Sequence, residues 1–121
     1  MGNPFCHFEL NSNDPEKAKE FYKTLFDWNY EDYPMGNESY TIIKTGKEPA
    51  GAIFKNPVPH VPSHWLTYVS VDDIDETAAQ AEELGAKILK EITAVPEMGK
   101  FCVFQDPTGA VLALWQDAKK E

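Results

Sequence analysis

One displacement lays a stretch of this chain onto another without a gap: the shift of 59 that carries Asp14 onto Asp73 also carries Leu25 onto Leu84. In "NDPEKAKEFYKTLF", Asp14 is placed to cap a helix and Pro15 suits its first position. Apolar residues at 18, 21, 22, 25 and 26 follow with the spacing of one helical face. In "VSVDDIDETAAQAEELGAKIL", a strand through Val71 leads to Asp73 as cap, then to apolar or small residues at 74, 78, 81 and 84, with Gly85 as the stop. Agreement at both the cap and the helix end is most economically an internal duplication. The chain is therefore expected to fold as two similar modules.

Each half continues with short strand candidates separated by Gly-containing turns: "SYTIIKTG" and "PAGAIF" in the first, "KFCVFQDPTG" and "AVLALWQ" in the second. A further strand is expected at "WNYEDYP" and at "AKILKEI", which makes each half a strand, a helix and three strands, an α+β pattern. "DPTG" reads as a type I turn. Between the halves, "KNPVPHVPS" carries Pro57, Pro59 and Pro62 and predicts an extended linker. The expected organisation is one domain over 1–121, with a first module at about 3–56, a linker at 57–63 and a second module at about 64–117. A chain of 121 residues with 42% hydrophobic content can bury a core without disulfides or metals.

No apolar run approaches the length of a membrane span, and the N-terminus lacks a secretory pattern, so a soluble cytoplasmic protein is expected. Cys6 and Cys102 sit in apolar strand-like segments, which favours buried thiols over a disulfide. Twenty acidic residues face 11 basic ones for a net charge of −9, and all 11 are Lys. Nucleic acid is not an expected partner of such a surface. Without Arg there is no bidentate clamp for carboxylates or phosphates, and a neutral or cationic ligand suits the charge better.

Taken in order, "HFELNSNDPEKAKEFYKTLFDW", "MGNESYTII", "SHWLTYVSVDDID" and "GKFCVFQDPTGAVLALWQ" resemble the glyoxalase/bleomycin resistance/dioxygenase superfamily, also called vicinal oxygen chelate proteins. Within it the chain is similar to the small glyoxalase-like branch. The resemblance implies paired βαβββ modules forming a curled mixed sheet round a central cleft, commonly in a homodimer. Where relatives often carry Gly before the Trp that ends the first helix segment, this chain has Asp27, a residue that tolerates the left-handed conformation a helix stop uses.

The resemblance also supplies a test for metal. In metal-dependent members, four inward-facing positions, one from the first and one from the last strand of each module, hold the ion with His and Glu. The first falls on His7, and the module offset carries it to Leu66. The closing strands, aligned by "GAIF" with "LALW", put the other two at Ala52 and Ala113. Aliphatic side chains have no lone pairs to give. His60 lies in the linker and His64 just before a strand, so neither matches a ligand position, and no HExxH, CxxC or EF-hand spacing is present. No metal and no other cofactor is expected.

There remains the polar pair His7 and Glu9, side by side on one face of "CHFEL" with Cys6, Phe8 and Leu10 on the other. The same concave surface is expected to carry Ala52, Phe54, Leu66, Tyr68, Ala113 and Trp115, while Phe8, Leu10, Ile53, Val69, Leu112 and Leu114 pack under the helices. Aromatic and small residues with a few polar anchors suit a small-molecule pocket. The same residues serve equally as core, dimer contact or a cross-sheet hydrogen bond. Three functions stay open. One is a metal-free homodimer that binds a small, partly apolar, neutral or cationic molecule. Another is a lyase, isomerase or hydroxylase with His7 as general base, Glu9 orienting it and Tyr68 stabilising an oxyanion. The last is an interaction module closed in the dimer.

Overall fold

The structure, a computed structural model, describes residues 2–47, 51–57 and 60–118. Over them the chain runs β1 (Phe5–Ser12), α1 (Pro15–Leu25), β2 (Asn29–Met35), β3 (Glu38–Lys44), β4 (Gly51–Lys55), β5 (His64–Ser70), α2 (Ile74–Glu83), β6 (Lys87–Val95), β7 (Gly99–Gln105) and β8 (Val111–Asp117). This is an α+β fold in which strand, helix and three strands occur twice, as the duplicated sequence requires. Two compact units result: residues 7–66, and the residues through Cys6 with those from Thr67 onward. The chain start thus pairs away from the helix that follows it. Ser70 N–H donates to the Pro4 carbonyl at 2.9 Å, and Asn3 Nδ2 donates to the Ser70 carbonyl at 3.0 Å.

In the unit of residues 7–66 the strand order is β2-β3-β4-β1. β1 and β4 are parallel with Glu9 opposite Ala52, while β3 runs antiparallel to both β2 and β4. β2 is an edge strand, which accommodates Pro34 because that position need not donate to a neighbour. Leu10, Ile43 and Ile53 form the buried layer, and Ala18, Tyr22, Trp28 and Tyr30 close over it.

The helical face is narrower than the sequence spacing predicts. Of the five apolar positions on α1 and its end, Ala18 and Tyr22 pack on the sheet, whereas Phe21, Leu25 and Phe26 are 58%, 57% and 46% exposed. Tyr22 occupies the contact by itself, and the neighbouring rings gather around it: Phe21 and Trp65 edge-on at 5.1 and 5.6 Å, Phe26 and Trp28 stacked at 6.2 and 5.7 Å. The helix begins as expected, with Asp14 accepting from Lys17 N–H at 3.2 Å and Pro15 in the first turn. Its end differs. Phe26 turns extended while its N–H still reaches the Tyr22 carbonyl at 2.8 Å, and Asp27 is not left-handed. A single extended residue terminates the helix and sends the chain into β2.

The linker also departs from an extended reading. Val58 and Pro59 lie outside the described residues, and His60 takes a left-handed φ of 69°, so the segment turns there. Asn56 Nδ2 then donates to the Val61 carbonyl at 2.8 Å, tying the turn to the end of β4.

In the other unit the order is β5-β8-β7-β6, with β5 and β8 parallel and Tyr68 opposite Ala113. Val71, Ile74, Ala78, Cys102 and Leu114 form its core, flanked by Ile92 and Phe104. Asp73 caps α2 by accepting from Glu76 N–H at 3.1 Å. At the far end Ala86 N–H reaches the Ala81 carbonyl at 2.9 Å and Gly85 N–H the Glu82 carbonyl at 3.0 Å, with Gly85 at φ 104°. This paired closure is the stop that glycine permits. Leu84, expected on the buried face, is 71% exposed, because the helix has already ended when the chain reaches it. Of the residues expected beneath the helices, Leu10, Ile53 and Leu114 are buried and Val69 and Leu112 half-buried. Phe8 is 39% exposed, a correction to its expected place in the core.

The "DPTG" turn closes through Gly109 N–H to the Asp106 carbonyl at 3.0 Å. Asp106 Oδ1 accepts from Thr108 N–H and Oγ1, both at 2.7 Å, and from Ala110 N–H at 3.1 Å. The Thr108 side chain first, then these backbone donors, hold the carboxyl below the ordinary carboxylate range. A lowered folded value means that the contribution to stability is present above the ordinary range and disappears as pH falls through the folded value. Melting temperature followed from neutral to acid pH is therefore expected to fall less steeply in Asp106→Asn than in the parent, and identical slopes would rule this out. Among the described residues, no helix is long and apolar enough to cross a membrane.

Candidate functional site

On β1, alternation puts His7, Glu9 and Asn11 on the face opposite Leu10, which packs under α1. The register places Ala52 beside Glu9 and Phe54 beside Asn11. β3 sets Ile42 beside Ala52, so Tyr40, two residues away, shares this face and brings its ring 5.6 Å from that of Phe54. The three polar groups converge. Tyr40 Oη lies 3.0 Å from His7 Nε2, and His7 Nε2 lies 3.9 Å from Glu9 Oε2.

Glu9 is 6% exposed, so its carboxylate sits where a charge must be compensated by donors. Burial pushes the Tyr40 phenol well above its ordinary pKa, and the charge of Glu9 and the bond to it push the same way. The phenol therefore stays protonated and serves as a donor at physiological pH. Sequence reasoning paired His7 with Glu9 and missed Tyr40. The available signal was the even-numbered parity it shares with Ile42 in "SYTII", once β3 is registered against β4.

Two other expected candidates have structural partners. His64 Nδ1–H donates to the Pro62 carbonyl at 2.8 Å, which leaves Nε2 to accept from Asn11 Nδ2 at 3.5 Å. His60 is exposed on its turn. Leu66 and Ala52 are buried at 3% and 0% exposure. Tyr68, Ala113 and Trp115 belong to the other unit. There Tyr68 is buried with its ring 6.3 Å from Phe101, Ala113 is fully buried, and Trp115 Nε1–H donates to Asp117 Oδ1 at 2.6 Å. Cys6 and Cys102 are free thiols. Burial raises both, with Asp117 adding to the rise at Cys6, and Cys102 is pushed up to about 11.

The metal positions can be tested against these surroundings. Of the other three expected ligand positions, Ala52, Leu66 and Ala113 are buried aliphatic side chains without a donor atom. No cluster of three or more His, Cys, Asp or Glu that could hold an ion occurs among the described residues. The residues present do not fit a chelated metal. Two surface depressions have linings that do not include the polar trio. One of about 210 Å³ is lined by Pro15, Glu38, Ser39 and Thr41, and one of about 350 Å³ by Val95, Pro96, Lys100 and Gln116.

Comparison with known proteins places this arrangement. The model of the Glyoxalase/Bleomycin resistance protein/Dioxygenase superfamily matches residues 5–114. "Putative glyoxylase CFP32" of Mycobacterium tuberculosis is 32% identical over 114 residues, covering 93% of this chain and 44% of that protein. The anthracycline biosynthesis protein DnrV of Streptomyces peucetius is 26% identical over 129 residues, covering 94% of this chain and 47% of that one. This chain thus spans less than half the length of these curated relatives. Among solved structures, the hypothetical protein BH1468 of Bacillus halodurans aligns with a TM-score of 0.68 at 13% identity, over 100% of this chain and 99% of that one. Methylmalonyl-CoA epimerase of Mycobacterium tuberculosis aligns with a TM-score of 0.67 at 11% identity, over 95% and 88%. With its duplicated βαβββ modules and a family match over nearly its whole length, the chain belongs to the glyoxalase/bleomycin resistance/dioxygenase superfamily.

Proposed function

We propose that this protein binds a small, partly apolar molecule without a metal, on the sheet face where His7, Glu9 and Tyr40 converge beside Phe54. The observation that carries this reading is the polar trio itself. A 6%-exposed carboxylate joined to a phenol and an imidazole stands among apolar neighbours, with aliphatic carbon where relatives place metal donors. Such a surface anchors a ligand through a few directed hydrogen bonds and gains most of its affinity from apolar contact. Phe54, partly exposed beside Asn11, is the proposed apolar contact in the same unit, with the buried Ala52 and Leu66 behind it. A structural neighbour, methylmalonyl-CoA epimerase of Streptomyces coelicolor, has been solved with 2-nitronate-propionyl-CoA, which supports a small-molecule role for this fold. The absence of Arg and a net charge of −9 favour a less anionic ligand here.

The proposed protein is a cytoplasmic homodimer that does not engage nucleic acid. Light scattering on the eluted protein tests the homodimer. The binding reading is tested by a thermal-shift panel of neutral and cationic aromatic compounds. A ligand at a hundredfold excess over its Kd is expected to stabilise by about 2.7 kcal/mol, and His7→Ala is expected to weaken its binding about tenfold or more. No compound raising the melting temperature would end the proposal.

The 3.0 Å contact of His7 with a permanently protonated phenol also favours a second reading, an isomerase, lyase or hydroxylase in which His7 is the general base. Turnover unchanged in His7→Ala would reject it.

A further inference from the structure

The bond between His64 and Asn11 takes its direction from a third atom. Pro62 offers His64 Nδ1 a carbonyl oxygen at 2.8 Å, and a carbonyl only accepts, so Nδ1 carries the hydrogen. In the neutral ring Nε2 is then a bare lone pair, and the arm of the Asn11 amide that meets it at 3.5 Å must be the nitrogen. A half-turn of the ring would set carbon against both partners, so the ring stays as it stands. The segment bearing the carbonyl is fastened as well. Asn13 N–H donates to Ser63 Oγ at 2.8 Å, and Asn56 Nδ2 donates to the Val61 carbonyl at 2.8 Å. On the other arm of the amide, Asn11 Oδ1 is buried in a residue 2% exposed and has no hydrogen-bond partner among the described residues. Such an oxygen costs free energy until a donor reaches it.

Uptake of one proton from solvent at Nε2 of the half-buried ring reverses the arrangement. The imidazolium donates at both nitrogens. Nδ1–H keeps the Pro62 carbonyl, while Nε2–H meets the Asn11 amide nitrogen, donor against donor. A half-turn of the amide about Cβ–Cγ relieves this and gives the orphan oxygen a charge-assisted partner. We propose that His64 and Asn11 form a proton-operated switch, in which protonation of His64 turns the Asn11 amide over and exchanges its buried oxygen for its nitrogen on the β1 face beside Phe54. The position behind the amide thereby changes from acceptor to donor. The switch needs no ligand and stands apart from the binding reading above.

The titratable and charged groups of the surrounding elements are His7 and Glu9 on the same face of β1, Lys55 at the end of β4, Asp14 at the head of α1 and His60 in the turn. Lys55 Nζ donates to the Asn13 carbonyl at 3.0 Å. Among the described residues His64 hydrogen-bonds Pro62 and Asn11 alone. A variant lacking the His64 nitrogens therefore separates its titration from theirs.

The test is proton–nitrogen spectroscopy of the full chain across a pH titration. In mildly alkaline buffer, where imidazoles are neutral, His64 Nδ1 is expected at a pyrrole-like shift and Nε2 at a pyridine-like shift. Cross-peaks are expected there between the Asn11 side-chain amide protons and the ring protons flanking Nε2. As the His64 resonances report protonation, these cross-peaks are expected to disappear and the Asn11 amide nitrogen to shift with the same midpoint. In His64→Phe that midpoint is expected to vanish from the Asn11 signals. In Asn11→Leu the neutral ring is expected to keep the Nδ1–H tautomer, because Pro62 sets it. A pyrrole-like Nε2 in the neutral parent overturns the proposal, as do cross-peaks that persist in the protonated form. Retention of the midpoint in His64→Phe would assign the change to one of the other groups and overturn it equally. Should His64→Phe fail to fold, the tautomer and the cross-peaks of the parent still decide.

Discussion

Gly99→Ala is expected to be the most damaging single substitution in the second unit, at about 3 kcal/mol or more. Gly99 opens β7 with φ 157°, opposite Asp117 of β8 and Val95 of β6. A β-carbon there would stand 2.2 Å from the Gln116 carbonyl oxygen and 2.7 Å from a ring carbon of Trp115. The first obstacle is backbone in a hydrogen-bonded strand, which cannot yield as a flexible side chain would. The strand must separate or Trp115 must leave its place and its bond to Asp117. Thermal denaturation is expected to show a midpoint lower by roughly 10 °C or more. Gly36→Ala is the control: nothing lies within 4 Å of its β-carbon, so only the φ of 65° opposes it, at about 1 kcal/mol. Equal effects at the two positions would refute the steric account.

Ile53→Ala is the corresponding expectation for the first unit. Ile53 is fully buried at the centre of β4, between β1 and β3, in the cluster with Leu10 and Ile43 that Tyr22 and Trp28 cover. Truncation removes three carbons from a close-packed site whose rigid strands relax little, so a loss of about 2–5 kcal/mol is expected. Leu25→Ala, at 57% exposure on the same unit, is expected to change stability by less than about 0.5 kcal/mol. Chemical denaturation of both variants checks the pair. Similar losses would mean that the aromatic cluster around Tyr22, rather than the layer under it, carries the stability of this unit.

These two residues illustrate what could be read in advance. Ile53 was legible, because alternation along "GAIF" assigns it a face whatever the rest of the chain does. Gly99 was not, since its requirement comes from the Gln116 carbonyl and the Trp115 ring across a strand pair. The helices show the same division. Asp14, Asp73 and Gly85 act as the sequence predicts, because caps and stops involve atoms within a few residues. The width of the apolar face on α1 was over-read, because spacing alone does not reveal that Tyr22 fills the contact and leaves Phe21 and Leu25 outside it.

The candidate site divides in the same way. His7 and Glu9 were paired by the period of a strand, and aliphatic carbon at 52, 66 and 113 argued against chelation at the positions that the family resemblance implies. Tyr40 could not be joined to them, because 33 residues of chain separate it from His7 and only the register of β3 on β4 and of β4 on β1 brings the phenol to the imidazole.

By itself, then, the sequence determined the duplicated βαβββ plan, the helix caps and which residues share a strand face, since each follows from dihedral preferences and side-chain periods acting over a few residues. Only the tertiary structure decided that the chain start pairs with β5, that Phe8 is left partly outside, and that the half-buried Tyr40 phenol meets His7. Those outcomes depend on strand order and register, which arise from packing between segments far apart in the chain.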